Sequence, residues 1–381
     1  MKKGIIMLFA AVFAISFALA QTNQNTTTQG GNNNISNVTQ NGTGNNAIQT
    51  QTGNQNTADV IQDADFNNSN IIQGGNKNGA TTLQRSGAEN NLSVIEQGGD
   101  ENTALIDQRD GATFNQSRIT QGGNKNDGTV RQAGPNVSNN MTDIDQSGNR
   151  NTATVEQLVG FLQNNDINVN QLGNDNNATV TQEDWVLGSV INVNQTGHRN
   201  TADVLQDQGG GGIANDFSKI NVTQTGDDNS TTVNQFQEVF DGTEINVLQG
   251  GNENMTTVTQ NGISINEVDV IQNGNKNIAE VNQEFVGRAN ALIDQSGNRN
   301  TGVINQINTG RGYIDSSAAI NQSGNDNLGT IEQVNALNSR SDIIQSGHNN
   351  EAYNFQTGAN NNNNINQSGN NNSATVRQTG N

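Results

Sequence analysis

Gln146-Ser-Gly-Asn-Arg-Asn-Thr-Ala-Thr-Val-Glu-Gln157 is followed by Gln171-Leu-Gly-Asn-Asp-Asn-Asn-Ala-Thr-Val-Thr-Gln182, and then by Gln195-Thr-Gly-His-Arg-Asn-Thr-Ala-Asp-Val-Leu-Gln206. The frame Gln-x-Gly-x-x-Asn-x-(small)-x-x-x-Gln recurs as fifteen pairs of glutamines, from Gln29/Gln40 to Gln367/Gln378, with a period of 22 to 29 residues. A period of that length marks one supersecondary unit repeated along the chain, which fixes the architecture before any single residue is interpreted. The two glutamines of a pair stand 11 residues apart, whereas the stretch to the next pair varies from 11 to 18, as in the Asp207 to Thr223 insertion. Length variation confined to one half of a repeat maps to loops along one edge of a solenoid.

Within a copy the pattern is strand, turn, strand. Thr142, Ile144 and Gln146 share one face by alternation, and Asn151, Ala153, Val155 and Gln157 share one face after the turn. Ser147-Gly148-Asn149-Arg150 is the turn, where Gly and Asn are expected to supply positive φ, and Gly123, Gly173 and Gly197 hold the same place in neighbouring copies. Two strands alone are marginal. Parallel stacking of each strand on its equivalent in the next copy solves this, and the fold class is therefore all-β: a two-sheet β-solenoid of about fifteen strand–turn–strand rungs with cross-β stacking. At about 4.8 Å per rung the rod would be on the order of 70 Å long.

Stacking puts like on like. Gln121, Gln146, Gln171 and Gln195 form one expected amide ladder; Gln132, Gln157, Gln182 and Gln206 form a second; Asn126, Asn151, Asn176 and Asn200 form a third. A buried amide is costly when unpaired, so such ladders hold only when continuous. The small residue after the Asn (Ala153, Ala178, Ala202, with Gly128, Gly302 and Gly329 as replacements) marks a thin core, and the aliphatic two places on (Val155, Val180, Val204) supplies the burial. Asn354 occupies that aliphatic position in the fourteenth rung and reads as a weak spot. The turn residue before the Asn is usually charged, and seven of ten adjacent pairs in the run from Lys77 to Asp326 are of opposite sign. Trp185, Phe161, Phe236, Phe240, Phe285 and Tyr313 fall in the variable halves and read as loop anchors.

Composition narrows the function. Aromatics are 4% and charged residues 14%, too few for a conventional core and compatible with disorder, but the periodicity argues against disorder. Residues 1–20, with Lys2 and Lys3, an apolar run from Ile5 to Leu19 and Ala18-Leu19-Ala20, read as a secretory signal peptide with no membrane span in the mature chain. The polar segment 21–28 carries no apolar residue and is expected to be disordered, leaving residues 29–381 as the solenoid. Losing Lys2 and Lys3 takes the formal charge from −19 to −21, which disfavours nucleic acid as a partner. No cysteine is present, the histidines His198 and His348 stand far apart, and the carboxylates do not converge, so no catalytic, cofactor or metal site is expected.

The frame, matched at every fixed position by Gln146 to Gln157, resembles the curlin repeat, and the resemblance extends from Gln29 to Asn381. The family usually places Ser six residues before the first Gln. Ser189, Ser218, Ser316 and Ser339 agree, whereas Asn67, Asn91, Asn115, Asn140 and Asn266 stand elsewhere and can ladder equally well. The resemblance implies an extracellular subunit of curli-type amyloid fibres, with an export pore and a nucleator subunit as partners and segment 21–28 as the pore-targeting tail. The geometry adds that both solenoid edges, at Gln29/Gln40 and Gln367/Gln378, are open and would template a further copy head to tail. The alternative is a monomeric solenoid binding ice or another repetitive surface. That would need a flat Thr-x-Thr array, which Thr152/Thr154 fits and Thr201/Asp203 does not. A polysaccharide hydrolase on the same scaffold lacks its carboxylate cluster.

Overall fold

The computed structural model describes residues 22–207, 215–236, 242–262, 266–309 and 315–380. The expected signal peptide, Phe240 and Tyr313 lie outside these residues. Every pairing between strands is parallel and joins one rung to the next. The first sheet has fifteen strands, from Gln24–Gly30 to Asn362–Asn370, each ending near the first glutamine of its pair. The second sheet runs from Ile35–Gln40 to Ser373–Thr379, most strands ending at or just after the second glutamine, while Thr152–Gln163, Asn177–Leu187 and Leu328–Leu337 run on past it. Its end strands pair on one side only, so it is an open ladder. Register is strict. Gln121, Gln146, Gln171 and Gln195 are aligned in the first sheet, as are Gln132, Gln157, Gln182 and Gln206 in the second. The chain is thus the expected β-solenoid.

Alternation along each strand decides what is inside. Ile144, Val169 and Val193 from the first sheet meet Val155, Val180 and Val204 from the second, with Ala153, Ala178 and Ala202 between them, all buried. Burying one such aliphatic side chain contributes about 1.5–3 kcal/mol. The core is as thin as the small residues implied: a Cβ on Gly128 would stand 2.8 Å from Ile119 Cγ2, and one on Gly302 would stand 3.0 Å from Ile293 Cγ2. The core is most apolar in the middle, where Ile167, Ile191, Ile220 and Ile245 add a further row, and more polar near both ends.

Four expectations need correction. Gln24 to Thr28, expected to be disordered, form most of the first strand, paired with Asn46–Thr52, although every residue in it is exposed. Backbone pairing holds this segment, without side-chain burial, and so apolar content gave no sign of it. Second, positive φ in the turn falls on Gly148 (113°) and on Arg150 (55°), with Asn149 kept in the strand. The charged column is therefore also the left-handed column: Lys125, Asp175 and Arg199 share this backbone. Third, Asn354 is a satisfied buried polar group. Its Nδ2 donates to Ser341 Oγ, and its Oδ1 accepts from Asn363 Nδ2 at 2.7 Å.

The fourth correction concerns the variable edge. Between the fourth and eighth rungs it forms a short third ladder. Asn136–Ser138 pairs with Phe161–Gln163, which pairs with Trp185–Leu187, and Val186 and Leu187 pair with Asn215 and Asp216. Ala112, Val137, Leu162 and Val186 form a small separate core beneath it. Phe161 and Trp185 sit next to that core as a ring pair 4.2 Å apart, only partly buried, so the anchoring is done by the aliphatic residues. Phe236 closes a strand, and Phe285 stands 47% exposed at a positive φ.

Candidate functional site

Each inward glutamine sits at the end of an alternating strand, so its amide lies between the two sheets, above and below its equivalents. In the first sheet the ladder is unbroken from Gln29 to Gln367: the Nε2 of each glutamine donates to the Oε1 of the next rung at 2.7–2.9 Å. The second ladder is equally continuous from Gln40 to Gln378, at 2.7–3.1 Å. Every bond points the same way along the rod. The second amide hydrogen is also used: Gln146 Nε2 donates to Asp127 O, and Gln171 Nε2 to Thr152 O. The interior ladder glutamines, from Gln51 to Gln345 and from Gln62 to Gln356, are essentially fully buried.

The asparagine ladder runs in the opposite direction. The backbone N–H of Asn151 donates to Asn126 Oδ1 at 3.0 Å, and its Nδ2 reaches both Asn126 Oδ1 and Gly173 O of the next rung. Asn176 and Asn200 repeat this arrangement. A second asparagine column, on the variable side, links Asn67, Asn91, Asn115, Asn140 and Asn165 through backbone N–H to Oδ1 bonds. Where that column changes to Ser189 and later to Asn266 beside Ala289, it loses continuity. Ser189 Oγ and Asn266 Nδ2 are left buried without a partner among the described residues.

The turn glycines are fixed by their neighbours. A Cβ on Gly148 would lie 1.9 Å from Gly173 O, and one on Gly123 would lie 2.1 Å from Gly148 O; Gly173 and Gly197 meet the same obstacle. Beside them runs a column that the sequence reading missed. The backbone N–H of Asn124 donates to Asn149 Oδ1, Asn149 to Asn174, and His198 to Asp227 Oδ1. The signal was present in the sequence, because the residue after the turn glycine is Asn in most copies. His198 and His348 are members of this column: Asn174 Nδ2 lies 3.1 Å from His198 Nδ1, and Asn325 Nδ2 lies 3.3 Å from His348 Nδ1. Six of the seven opposite-sign neighbours in the charged column form ion pairs, including Arg150–Asp175, Arg199–Asp228 and Arg299–Asp326 at 2.6 Å each. The hydrogen bond from Arg150 holds the Asp175 carboxyl below the ordinary aspartate range. These pairs are exposed and contribute little individually.

A sixth amide run lies on the outer face of the first sheet: Asn168, Asn192, Asn221 and Asn246 donate in turn, ending on Asp269 at 3.0 Å. One rung before it, at the same register, stands Asp143, whose carboxyl is pushed up by burial; Arg118 lowers it, and Asp145, Asp166 and Glu96 raise it further. Among the described residues there is no group of three or more His, Asp or Glu able to hold a metal, and no helix long and apolar enough to cross a membrane.

The ladders reach both terminal rungs. The first strand of the first rung is exposed throughout, and the strands of the last rung keep exposed faces. What the arrangement offers chemically is a set of amide and backbone hydrogen-bonding groups at each terminal rung that have no partner rung among the described residues. Comparison with known proteins agrees with the repeat: the family model of the curlin associated repeat matches residues 138–161, which contain the whole Gln146 to Gln157 frame. No curated protein matches the chain.

Proposed function

We propose that this curlin-repeat protein is the structural subunit of an extracellular, curli-like amyloid fibre of the cell surface and biofilm matrix, polymerising through the open edges of its solenoid. The observation that carries this reading is the pair of glutamine ladders running without a break to rungs whose strands still have unpaired sides. Unpaired strand edges template further strands, and solenoids that stay monomeric cover their ends with atypical capping repeats. The signal-like residues 1–20 fit secretion, and the repeat family points to an export pore and a nucleator as partners. The role is structural, with the repeat itself as the working part.

The test is fibre formation by the chain from Gln21 onward. Thioflavin-positive, sedimentable fibres with a reflection near 4.8 Å along the fibre axis are expected. A soluble monomer at high concentration would instead favour the surface-binding alternative. The observation on that side is the outward column Thr129, Thr154 and Thr179, which is in register on the second sheet. Asp203 interrupts the column in the next rung, so no long flat threonine array forms.

A further inference from the structure

One strand of the first sheet departs from the rest on its outer face. Ser316–Asn325 presents Ser317 and Ala319 outward, where the strand before it presents Asn290 and Leu292 and the strand after it Arg340 and Asp342. No other strand of that sheet sets two such small side chains at these places. The result is a groove that runs along the thirteenth rung, across the rod. Two adjoining depressions of about 450 and 250 Å³ make it up, and both are lined by Asn290, Ser317 and Arg340. Asp315 continues the floor toward the variable edge, with Arg288 and Asn338 on the walls there. The walls stand two strand spacings apart, about 9–10 Å, and the floor from Asp315 to Ala319 is about 13 Å long.

We propose that this groove binds a segment of an uncharged, hydroxyl-rich linear chain, a neutral polysaccharide. The floor strand is paired in parallel on both sides, so its N–H and C=O groups are already used, and an extended peptide cannot be held there by strand addition. Recognition falls to side chains. Arg340 Nε donates to Asp342 Oδ2 at 2.7 Å, which lays the guanidinium along its wall. The terminal nitrogens of Arg340, Asn290 Nδ2, Ser317 Oγ and the Asp315 carboxylate make no hydrogen bond among the described residues. Donors, an acceptor and a hydroxyl that is both thus line one trough, and sugar hydroxyls, which donate and accept, match them. Leu292 and Ala319 give the other half of the groove an apolar face for the C–H side of a sugar ring. Charge decides between classes of chain. Arg288 and Arg340 stand against the carboxylates of Asp315 and Asp342, and Glu267 and Asp269 lie just beyond. The carboxylates disfavour an acidic chain and the guanidiniums a cationic one. The groove lies on the flank of the rod, two rungs in from the last, so this inference does not depend on the fibre reading.

Equilibrium dialysis of the full chain from Gln21 onward tests this, whether the chain is assembled or monomeric. The probes are labelled linear oligosaccharides of equal length: neutral β-glucan, mannan and xylan, and an acidic polygalacturonate. Saturable binding of at least one neutral probe is expected, approaching one per chain, with the acidic probe left free. Ala319→Leu raises the floor to the level of Leu292 and is expected to weaken that binding about tenfold or more. Asn290→Ala, which removes an exposed wall amide, is expected to weaken it several-fold. Asn321→Leu, exposed on the same strand but outside the groove, is expected to leave it unchanged. β-Sheet circular dichroism of each variant reports whether the array is intact. No saturable binding of any neutral probe would overturn the proposal, as would tighter binding of the acidic one. Neutral binding unchanged in a folded Ala319→Leu variant would overturn the location, and if that variant loses its β-sheet signal, Asn290→Ala decides in the same way.

Discussion

Gln171 shows what one residue does in this molecule. It accepts from Gln146, donates to Gln195 and donates to Thr152 O, all in a buried position. Gln171→Leu keeps the bulk and strands a donor below and an acceptor above, for an expected local loss of about 2–4 kcal/mol. Faster amide exchange confined to the rungs around it would show this, since a stacked array need not unfold as one unit. Asp143 makes the opposite case. Burial holds its carboxyl above the ordinary range, so the folded state favours the protonated form, and stability falls as pH rises through that raised value. Asp143→Asn should raise the melting temperature at pH 7, corresponding to about 0.5–1 kcal/mol, because an amide there can extend the surface run that begins at Asn168. The gain should shrink toward pH 3, where Asp143 itself is protonated. The inward residues were legible in the sequence because their neighbours are copies of themselves. Asp143 was not, because its burden is burial first, which its own rung does not announce, with Asp145, Asp166 and Glu96 from three rungs adding to it.

At the scale of strand and turn, the glycines separate into two kinds. Gly148 combines a φ of 113° with the Gly173 carbonyl of the next rung, so Gly148→Ala should cost roughly 2–4 kcal/mol through strain and displacement of that rung. Gly79 begins a strand, has no positive φ, and has no neighbouring atom within 4 Å of the place an alanine methyl would take. Gly79→Ala should therefore be neutral or stabilise by about 0.5 kcal/mol, by restricting the unfolded chain. Chemical denaturation of the pair would show opposite signs. The turn itself was half legible. Gly148 announced its backbone, whereas Arg150 looked like a solvent charge and turned out to occupy a left-handed position, its N–H donating to Asn124 O of the rung before. The third ladder was legible and was passed over. Val137, Leu162 and Val186 each stand nine residues before the first glutamine of the next pair, but they lie in the half of the repeat whose length varies, which reads as loop.

For the molecule as a whole, each rung touches only its neighbours, so a rung is a removable unit. Deleting Leu172–Gln195 takes out one full period and rejoins Gln171 to Thr196 in frame. The shortened chain should keep its β-sheet circular dichroism and protease resistance, while deleting half that length should lose both, because a half-rung exchanges one sheet for the other. The architecture was legible at this scale because the period is carried by residue types that tolerate no substitute inside a ladder. The first strand escaped notice because Gln24 to Thr28 contribute backbone bonds and no burial. The opposed directions of the glutamine and asparagine ladders have an electrostatic consequence. An α-helix aligns its peptide dipoles and carries partial charges of opposite sign at its two ends. Here the inner asparagine ladder through Asn126, Asn151 and Asn176 runs against the two glutamine ladders, so its side-chain dipoles offset part of theirs, while the turn column through Asn149 runs with them, and the field that a lengthening rod builds at its tips is the difference between opposed columns.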